Sequence, residues 1–250
     1  MRKALLILAL TVLAVLSSQA QVKVICHRGF WTTNGSAQNS IRSITKADSI
    51  HAFGSELDVW MTSDGRLVVD HDKVFKGVNM ETGTYEQVRA IRLDNGEQLP
   101  SLEEYLQCAQ KLQTRVILEM KSLSDFSRED KCARKIAESL KLYNLLDRTD
   151  IIAFSINACL AFRKYLPQTN VYYLDGDLTP AKLKSLGMAG LDYNMSVIRD
   201  HPEWVKQAHD LGLEVNVWTV DKKEDMLYFM GLGVDYITTN EPVLLQSLIK

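Results

Sequence analysis

The chain has 250 residues, a formal net charge of −2 and 46 % hydrophobic residues. That length suits one large domain or two small ones, with enough core to fold without covalent help. The balanced charge offers no broad basic field to hold nucleic acid, and the four cysteines, at 26, 108, 132 and 159, show no paired metal spacing.

Met1-Arg2-Lys3 leads into an apolar stretch from Ala4 to Leu16, followed by Ser17-Ser18-Gln19-Ala20. A basic start, a short apolar core and a small-residue end are the parts of a secretory signal peptide, so residues 1–20 read as a leader cut after Ala20. The apolar run is short of the roughly 20 residues that a membrane span needs. Residues 21–250 then form the mature domain, secreted across the inner membrane to the periplasm or beyond. With no second long apolar segment, stable membrane insertion is not expected. Cys108, Cys132 and Cys159 fall in helical segments, where a free cysteine behaves as a small hydrophobe.

Along the mature chain, short β-branched runs alternate with helical patterns. Strands are expected at Val22–His27, Gly54–Met61, Arg115–Lys121, Asp150–Ile156, Asn170–Leu174, Gly190–Met195, Glu214–Val220 and Val234–Thr238. Helices are expected at Asn39–Phe53, Ser101–Leu112, Arg128–Leu142, Ala158–Tyr165, Pro180–Leu186, Pro202–Leu211 and Lys223–Met230. Thr179-Pro180 reads as a helix start, and Gly187 and Gly212 stand where helices should stop. Eight strands alternating with helices in about 230 residues point to an α/β fold, a single-domain (β/α)₈ TIM barrel. An open, doubly wound sheet is the alternative, and the strand count favours closure. A closed barrel demands that the chemistry lie at the C-terminal ends of its strands.

The candidate residues meet that demand. The first strand ends in His27-Arg28-Gly29, the second in Glu56-Leu57-Asp58-Val59-Trp60, and the third in Leu118-Glu119-Met120-Lys121. Strand residues two apart share a face, so Glu56 projects with Asp58, and Glu119 with Lys121. Three converging carboxylates without cysteine are hard ligands, suited to one divalent cation, Mg²⁺ or Ca²⁺. The competing reading of Glu56-x-Asp58 is an acidic strand end paired with Arg28 and Lys121. Asp64-Gly65 then signals a hairpin, part of a small insertion after strand two, which returns His71 over the barrel mouth opposite His27. Two imidazoles beside such a site suit acid–base work. His51, His201 and His209 read as structural or merely exposed.

His27-Arg28-Gly29, Gln38-Asn39-Ser40, Glu56-x-Asp58-Val59, Thr62-x-Asp64-Gly65 and Val69-x-His71-Asp72 together resemble the glycerophosphodiester phosphodiesterase family. So do Pro100-Ser101-Leu102-Glu103-Glu104, Leu118-Glu119-x-Lys121, Val217-Trp218-Thr219-Val220-Asp221 and Asp235-x-x-x-Thr239-Asn240-x-Pro242. The pieces span nearly the whole mature chain in the family's order. The resemblance implies a phosphatidylinositol-phospholipase-like barrel that hydrolyses glycerophosphodiesters, small-molecule substrates, to glycerol phosphate and an alcohol. It assigns the metal to Glu56, Asp58 and Glu119, and acid–base catalysis to His27 and His71. Arg28 and Lys121 would hold phosphate oxygens, and Trp218 would wall the pocket against the glycerol part.

One departure stands out. The family usually has Pro-Glu-Asn-Thr where this chain has Ala37-Gln38-Asn39-Ser40, so an acidic group at the edge of the site is replaced by an amide. This implies altered substrate choice, while Ser40 keeps a hydroxyl able to cap the following helix. The short segment from Lys73 to Leu99 implies a small cap and an open site, and the loop Phe30–Gly35 is placed to shape specificity. Two other functions share the motif set: a phospholipase acting on phosphoinositide or another lipid, and a secreted binding protein without turnover. The absence of an evident amphipathic membrane-binding helix argues against the first, and the intact ligands and histidines against the second.

Overall fold

In the computed structural model, which describes residues 21–249, eight parallel strands close into a barrel. The expected leader lies outside the described residues. The first barrel strands are β1 (Lys23–Cys26) and β2 (Gly54–Met61). An insertion follows, with short strands β3 (Leu67–Val69), β4 (Val74–Phe75) and β5 (Val78–Asn79). The barrel resumes with β6 (Arg115–Met120), β7 (Thr149–Ala153), β8 (Val171–Tyr173), β9 (Gly190–Asn194), β10 (Glu214–Trp218) and β11 (Tyr236–Thr239). Each pairs in parallel with the next, and β1 closes the ring by pairing with both β11 and β2. The TIM barrel expected from the sequence is therefore the fold, and the open sheet is set aside.

The connecting helices are α1 (Ile41–Ser49), α2 (Tyr85–Arg89), α3 (Leu102–Ala109), α4 (Phe126–Leu142), α5 (Ile156–Tyr165), α6 (Pro180–Ser185), α7 (Met195–Asp200), α8 (Glu203–Asp210), α9 (Lys223–Leu232) and α10 (Pro242–Leu248). Their starts follow from capping chemistry. Ser40, Asp125, Ser155 and Thr179 each accept a hydrogen bond from a backbone N–H in the first turn, satisfying a donor with no helical partner. On α4, Cys132, Ala133, Ile136, Ala137 and Leu140 are buried, the three-and-four spacing of a helix covering a barrel. Gly187 and Gly212 follow α6 and α8 with positive φ, as expected.

Several boundaries differ for physical reasons. The first helix is shorter than expected at both ends: Asn39 sits at φ 58° before the Ser40 cap. Ile156 opens α5 instead of ending a strand, because Ser155 caps it. His27 and Lys121 stand one residue beyond their strands, yet their backbone N–H groups still donate across the sheet, to Thr239 O at 3.0 Å and Val59 O at 3.0 Å. The short helices α2, α7 and α10 were not expected. All four cysteines are free, consistent with a core that needs no crosslink.

The barrel interior is layered. At the N-terminal ends, Arg115 makes a bidentate pair with Asp150 (3.0 and 2.8 Å), and Tyr236 donates to Glu214 at 2.8 Å. Above them lies an apolar layer of Ile25, Ile117, Ile152, Tyr172, Leu174 and Tyr236. This plug separates the polar pairs at the N-terminal ends from the polar side chains gathered at the C-terminal ends.

Candidate active site

Three carboxylates meet at that end. Asp58 on β2 pairs directly with Glu119 on β6, and Glu56, two residues before Asp58, shares its face. One oxygen from each lies within 4.8 Å of the others, and all three residues are buried. The sequence reading of this cluster holds geometrically. Its competitor, an ion-paired acidic strand end, holds only in part. Lys121 Nζ stands 3.2 Å from Asp58 Oδ1 and 2.7 Å from Glu119 Oε1, and Arg28 Nε lies 3.9 Å from Asp58 Oδ2. Glu56 Oε2 instead accepts the backbone N–H of Arg28 at 2.7 Å, and Glu56 Oε1 has no hydrogen-bond partner.

The electrostatics follow from this geometry. Burial, then the charges of Asp58 and Glu119, push the Glu56 carboxyl well above the usual range. Burial, then the Asp58 charge, pushes Glu119 up to about 8. Asp58 moves the other way. Burial opposes its ionisation, but Lys121, His71, the Asn39 amide and Arg28 together hold it below its ordinary value. Asn39 clamps Asp58 from both sides, donating through Nδ2 to Oδ2 at 2.8 Å and accepting Asp58 N–H at 3.1 Å. Three buried acids facing two cations, with Glu56 Oε1 and Glu119 Oε1 both lacking a hydrogen-bond partner, form a donor set with the chemistry of a hard divalent-cation site.

The loop after β1 adopts a tight left-handed path, with Arg28 at φ 56° and Gly29 at φ 78°. A Cβ at Gly29 would meet Ser43 Oγ at 2.2 Å, so only glycine fits against α1. That path places Arg28 Nη1 2.6 Å from Gln38 Oε1, so the amide at this departure position accepts from the arginine.

His27 has a defined tautomer. Its Nδ1 lies 3.0 Å from Asn240 Oδ1. Asn240 Nδ2 donates to Asp221 Oδ2 at 2.8 Å, and Asn240 Oδ1 also accepts from Trp31 Nε1 at 3.0 Å. A carboxylate on one side and an indole N–H on the other leave the amide a single orientation. Nδ1 of His27 therefore carries the proton, and Nε2 is left with its lone pair. Burial, then the Arg28 charge, lowers the imidazole to about 4, so His27 is neutral at physiological pH.

His71 arrives by the expected hairpin. β2 and β3 pair antiparallel around Asp64-Gly65, and Asp70 N–H bonds Asp58 O at 3.1 Å. The His71 ring, more than a third exposed, sets Nδ1 2.8 Å from Asp72 Oδ1. An inner chamber of about 110 Å³ is lined by His27, Arg28, Glu56, His71 and Glu119 on one side. Phe154, Leu174, Asp192, Trp218 and Thr238 line the other. Trp218 packs edge-on against Phe154 and donates through Nε1 to Asp192 O at 2.9 Å, so it forms a fixed wall. An outer groove of about 640 Å³ runs past Trp31–Asn39, Asp70–Asp72, Phe75 and Leu93. His71 borders both spaces.

Residues 27–244 match the model of the glycerophosphoryl diester phosphodiesterase family. The chain belongs to that family. Its fold superposes with a TM-score of 0.91 on a glycerophosphodiester phosphodiesterase from Parabacteroides distasonis, at 45 % identity over 92 % of this chain and 97 % of the other. A glycerophosphodiester phosphodiesterase from Caldanaerobacter subterraneus subsp. tengcongensis is 29 % identical over 91 % of this chain and 97 % of its own length. A phosphodiesterase from Oleispira antarctica, solved with its product sn-glycerol-3-phosphate, shares the fold at 22 % identity and a TM-score of 0.79, covering 91 % of this chain and 96 % of its own.

All eight residues singled out in the sequence, namely His27, Arg28, Glu56, Asp58, His71, Glu119, Lys121 and Trp218, gather at this one end of the family's barrel. The roles of four others were not read. Asn39, Asp221 and Asn240 lie inside the quoted family motifs, but their work as clamps shows only in contacts that cross the fold. Asp192 carried no signal beyond being polar in a strand.

Proposed function

We propose that the chain hydrolyses glycerophosphodiesters to glycerol phosphate and an alcohol, with His27 as base and His71 as acid. The observation that supports this most strongly is the Asp221–Asn240–His27 relay beside the buried carboxylate triad. It presents a neutral imidazole nitrogen to the same chamber as the acids. Glu56, Asp58 and Glu119 would hold one divalent cation, Mg²⁺ or Ca²⁺, which when bound supplies countercharge and polarises a phosphoryl oxygen.

His27 Nε2 takes the proton of the attacking hydroxyl as its oxygen bonds to phosphorus. His71, bordering both spaces, returns a proton to the leaving alkoxide as the second P–O bond breaks. The two exchanges balance, and each acid–base group is worth about 10²–10⁴-fold in rate. Arg28 and Lys121 hold the non-bridging oxygens, as a fork and a point charge. At about 110 Å³, the inner chamber has room for three to four waters at ~30 Å³ each, which fits a three-carbon polyol. The wider groove beyond His71 then takes the leaving alcohol.

The test is a panel of glycerophosphodiesters with different headgroups, assayed after chelation and readdition of each cation. Hydrolysis restored by a divalent cation supports the reading, and no turnover of any member would leave a binding protein instead. Phosphorus NMR separates direct attack by water from initial attack by a substrate hydroxyl, since only the latter releases a cyclic phosphate. Export beyond the inner membrane is part of the same proposal and rests on residues 1–20. Cell fractionation with N-terminal sequencing of the mature protein tests it, and a start at Gln21 is expected.

A further inference from the structure

On the wall opposite the carboxylates, Asp192 and Thr238 line the chamber and form, with Asn216 in the barrel interior, a polar arc that the acid–base reading does not use. Asp192 on β9 and Asn216 on β10 are register partners, and Asn216 Nδ2 donates to Thr238 Oγ1 on β11 at 2.8 Å. The arc sits beside the apolar layer of Ile25, Ile117, Ile152 and Tyr172, where an apolar side chain would pack without cost. Asp192 and Asn216 are 2 % and 3 % exposed, and Asp192 Oδ1 and Asn216 Oδ1 both lack a hydrogen-bond partner. Buried polar atoms are nearly always paired, because burying one unpaired is costly.

Asp192 lines the inner chamber together with Trp218 and Thr238. Its main chain is tied to that wall as well, since its carbonyl oxygen accepts the Trp218 indole N–H. Arg28 is the one arginine or lysine among the chamber-lining residues, where it pairs with Gln38 and Asp58, and His27 and His71 stand on the side opposite Asp192. Burial raises the Asp192 carboxyl to about 7. A carboxyl group near that value offers both a donor and an acceptor, the complement of an alcohol.

We propose that Asp192 recognises a hydroxyl of the polyol half of the substrate, making it a specificity-determining residue on the wall opposite the carboxylates. This rests on the reading that the inner chamber receives the glycerol half. A site built to hydrogen-bond a hydroxyl rejects the analogue lacking it, because the buried polar atom is then left unpaired. Propyl and glyceryl groups have the same carbon count, so Asp192 separates them where chamber size does not.

The experiment is calorimetric titration of the cation-loaded protein with glycerol 3-phosphate and with propyl phosphate. Wild-type protein should bind glycerol phosphate at least about tenfold more tightly than propyl phosphate, the upper part of what one net hydrogen bond supplies. Asp192→Leu should abolish the preference by weakening glycerol phosphate, with propyl phosphate affinity kept within about twofold. Should the leucine variant fail to fold, Asp192→Ala is read in the same way. Absence of a preference in the wild type, or a variant that keeps it or weakens both ligands equally, overturns the proposal. Turnover of a glycerophosphodiester by the wild-type protein is measured in parallel. Turnover without the Asp192 effect sinks this inference alone, whereas no turnover sinks the functional reading beneath it.

Discussion

Cation binding at the carboxylate triad should strengthen steeply with pH, because the cation has to displace protons. Without a cation, burial and the charge of Asp58 hold Glu119 at about 8, from an ordinary value of 4.5, and Glu56 is also raised well above its range. A ligating carboxyl must be ionised. With Glu119 titrating near 8, roughly one molecule in a hundred has it ionised at pH 6 and about half at pH 8. Glu119 alone therefore makes the apparent affinity about fiftyfold tighter at pH 8 than at pH 6, and Glu56 steepens the slope. Titration of chelated protein with Ca²⁺ at pH 6, 7 and 8, in buffers of differing ionisation enthalpy, reads both affinity and protons released. About one proton should leave Glu119 per cation at pH 7, with a further share from Glu56. The reasoning fails if affinity changes less than about threefold across this range with no proton release.

The same groups set the stability of the cation-free protein. A folded carboxyl raised above its unfolded value contributes stability that is complete below about 4.5 and lost as pH rises through about 8. The melting temperature of chelated protein should therefore fall from pH 6.5 to pH 8, and saturating cation should remove the fall. His27 acts in a lower window. Its folded value, near 4, lies below the ordinary 6.5, so the unfolded chain binds the extra proton and stability is lost as pH drops from 6.5 towards 4.

Three substitutions divide the site into its parts, and a fourth tests the scaffold. His71→Ala should cost about 10²–10⁴-fold in kcat and leave Ca²⁺ affinity nearly intact, whereas Glu119→Gln should weaken cation binding and activity together. Kinetics paired with calorimetry check both, and near-normal rates in both variants would dismantle the assignment. Asn240→Leu removes the acceptor for His27 and Trp31 and a donor to Asp221. It should lower kcat/KM by about 10²-fold and release the His27 tautomer, which ¹⁵N NMR of the imidazole reads directly. Gly190→Ala tests the barrel itself. A Cβ there would lie 2.0 Å from the carbonyl oxygen of Glu214 on the neighbouring strand, so a loss of at least ~3 kcal/mol is expected in urea unfolding.

The sequence was most legible where chemistry and local pattern coincide. Glu56, Asp58 and Glu119 could be placed because strand alternation assigns a face to every residue, and a barrel admits an active site at one end only. The hairpin carrying His71 was legible for a similar reason, since Asp64-Gly65 encodes its own turn, with Gly65 at φ 78°. Helices α2, α7 and α10 were missed because at five to seven residues they are too short for a periodic stripe to form. Gln38 was read as a change in substrate choice. Its bond to Arg28 Nη1 shows that the amide still supplies an acceptor, while the charge on that side of the arginine is gone.

By itself, then, the sequence determined the strand count, the faces, and which end of the barrel holds the carboxylates and imidazoles, all of them consequences of local backbone geometry. The tertiary structure decided how those groups are ionised and oriented. The tautomer of His27 depends on Asn240, 213 residues away, and the orientation of Asn240 depends in turn on Asp221 and Trp31. Asp192 is one more polar residue in a strand until closure of the barrel buries it facing the chamber. Ionisation and tautomer follow from burial and from partners brought together across the fold, and no local pattern in the chain records either.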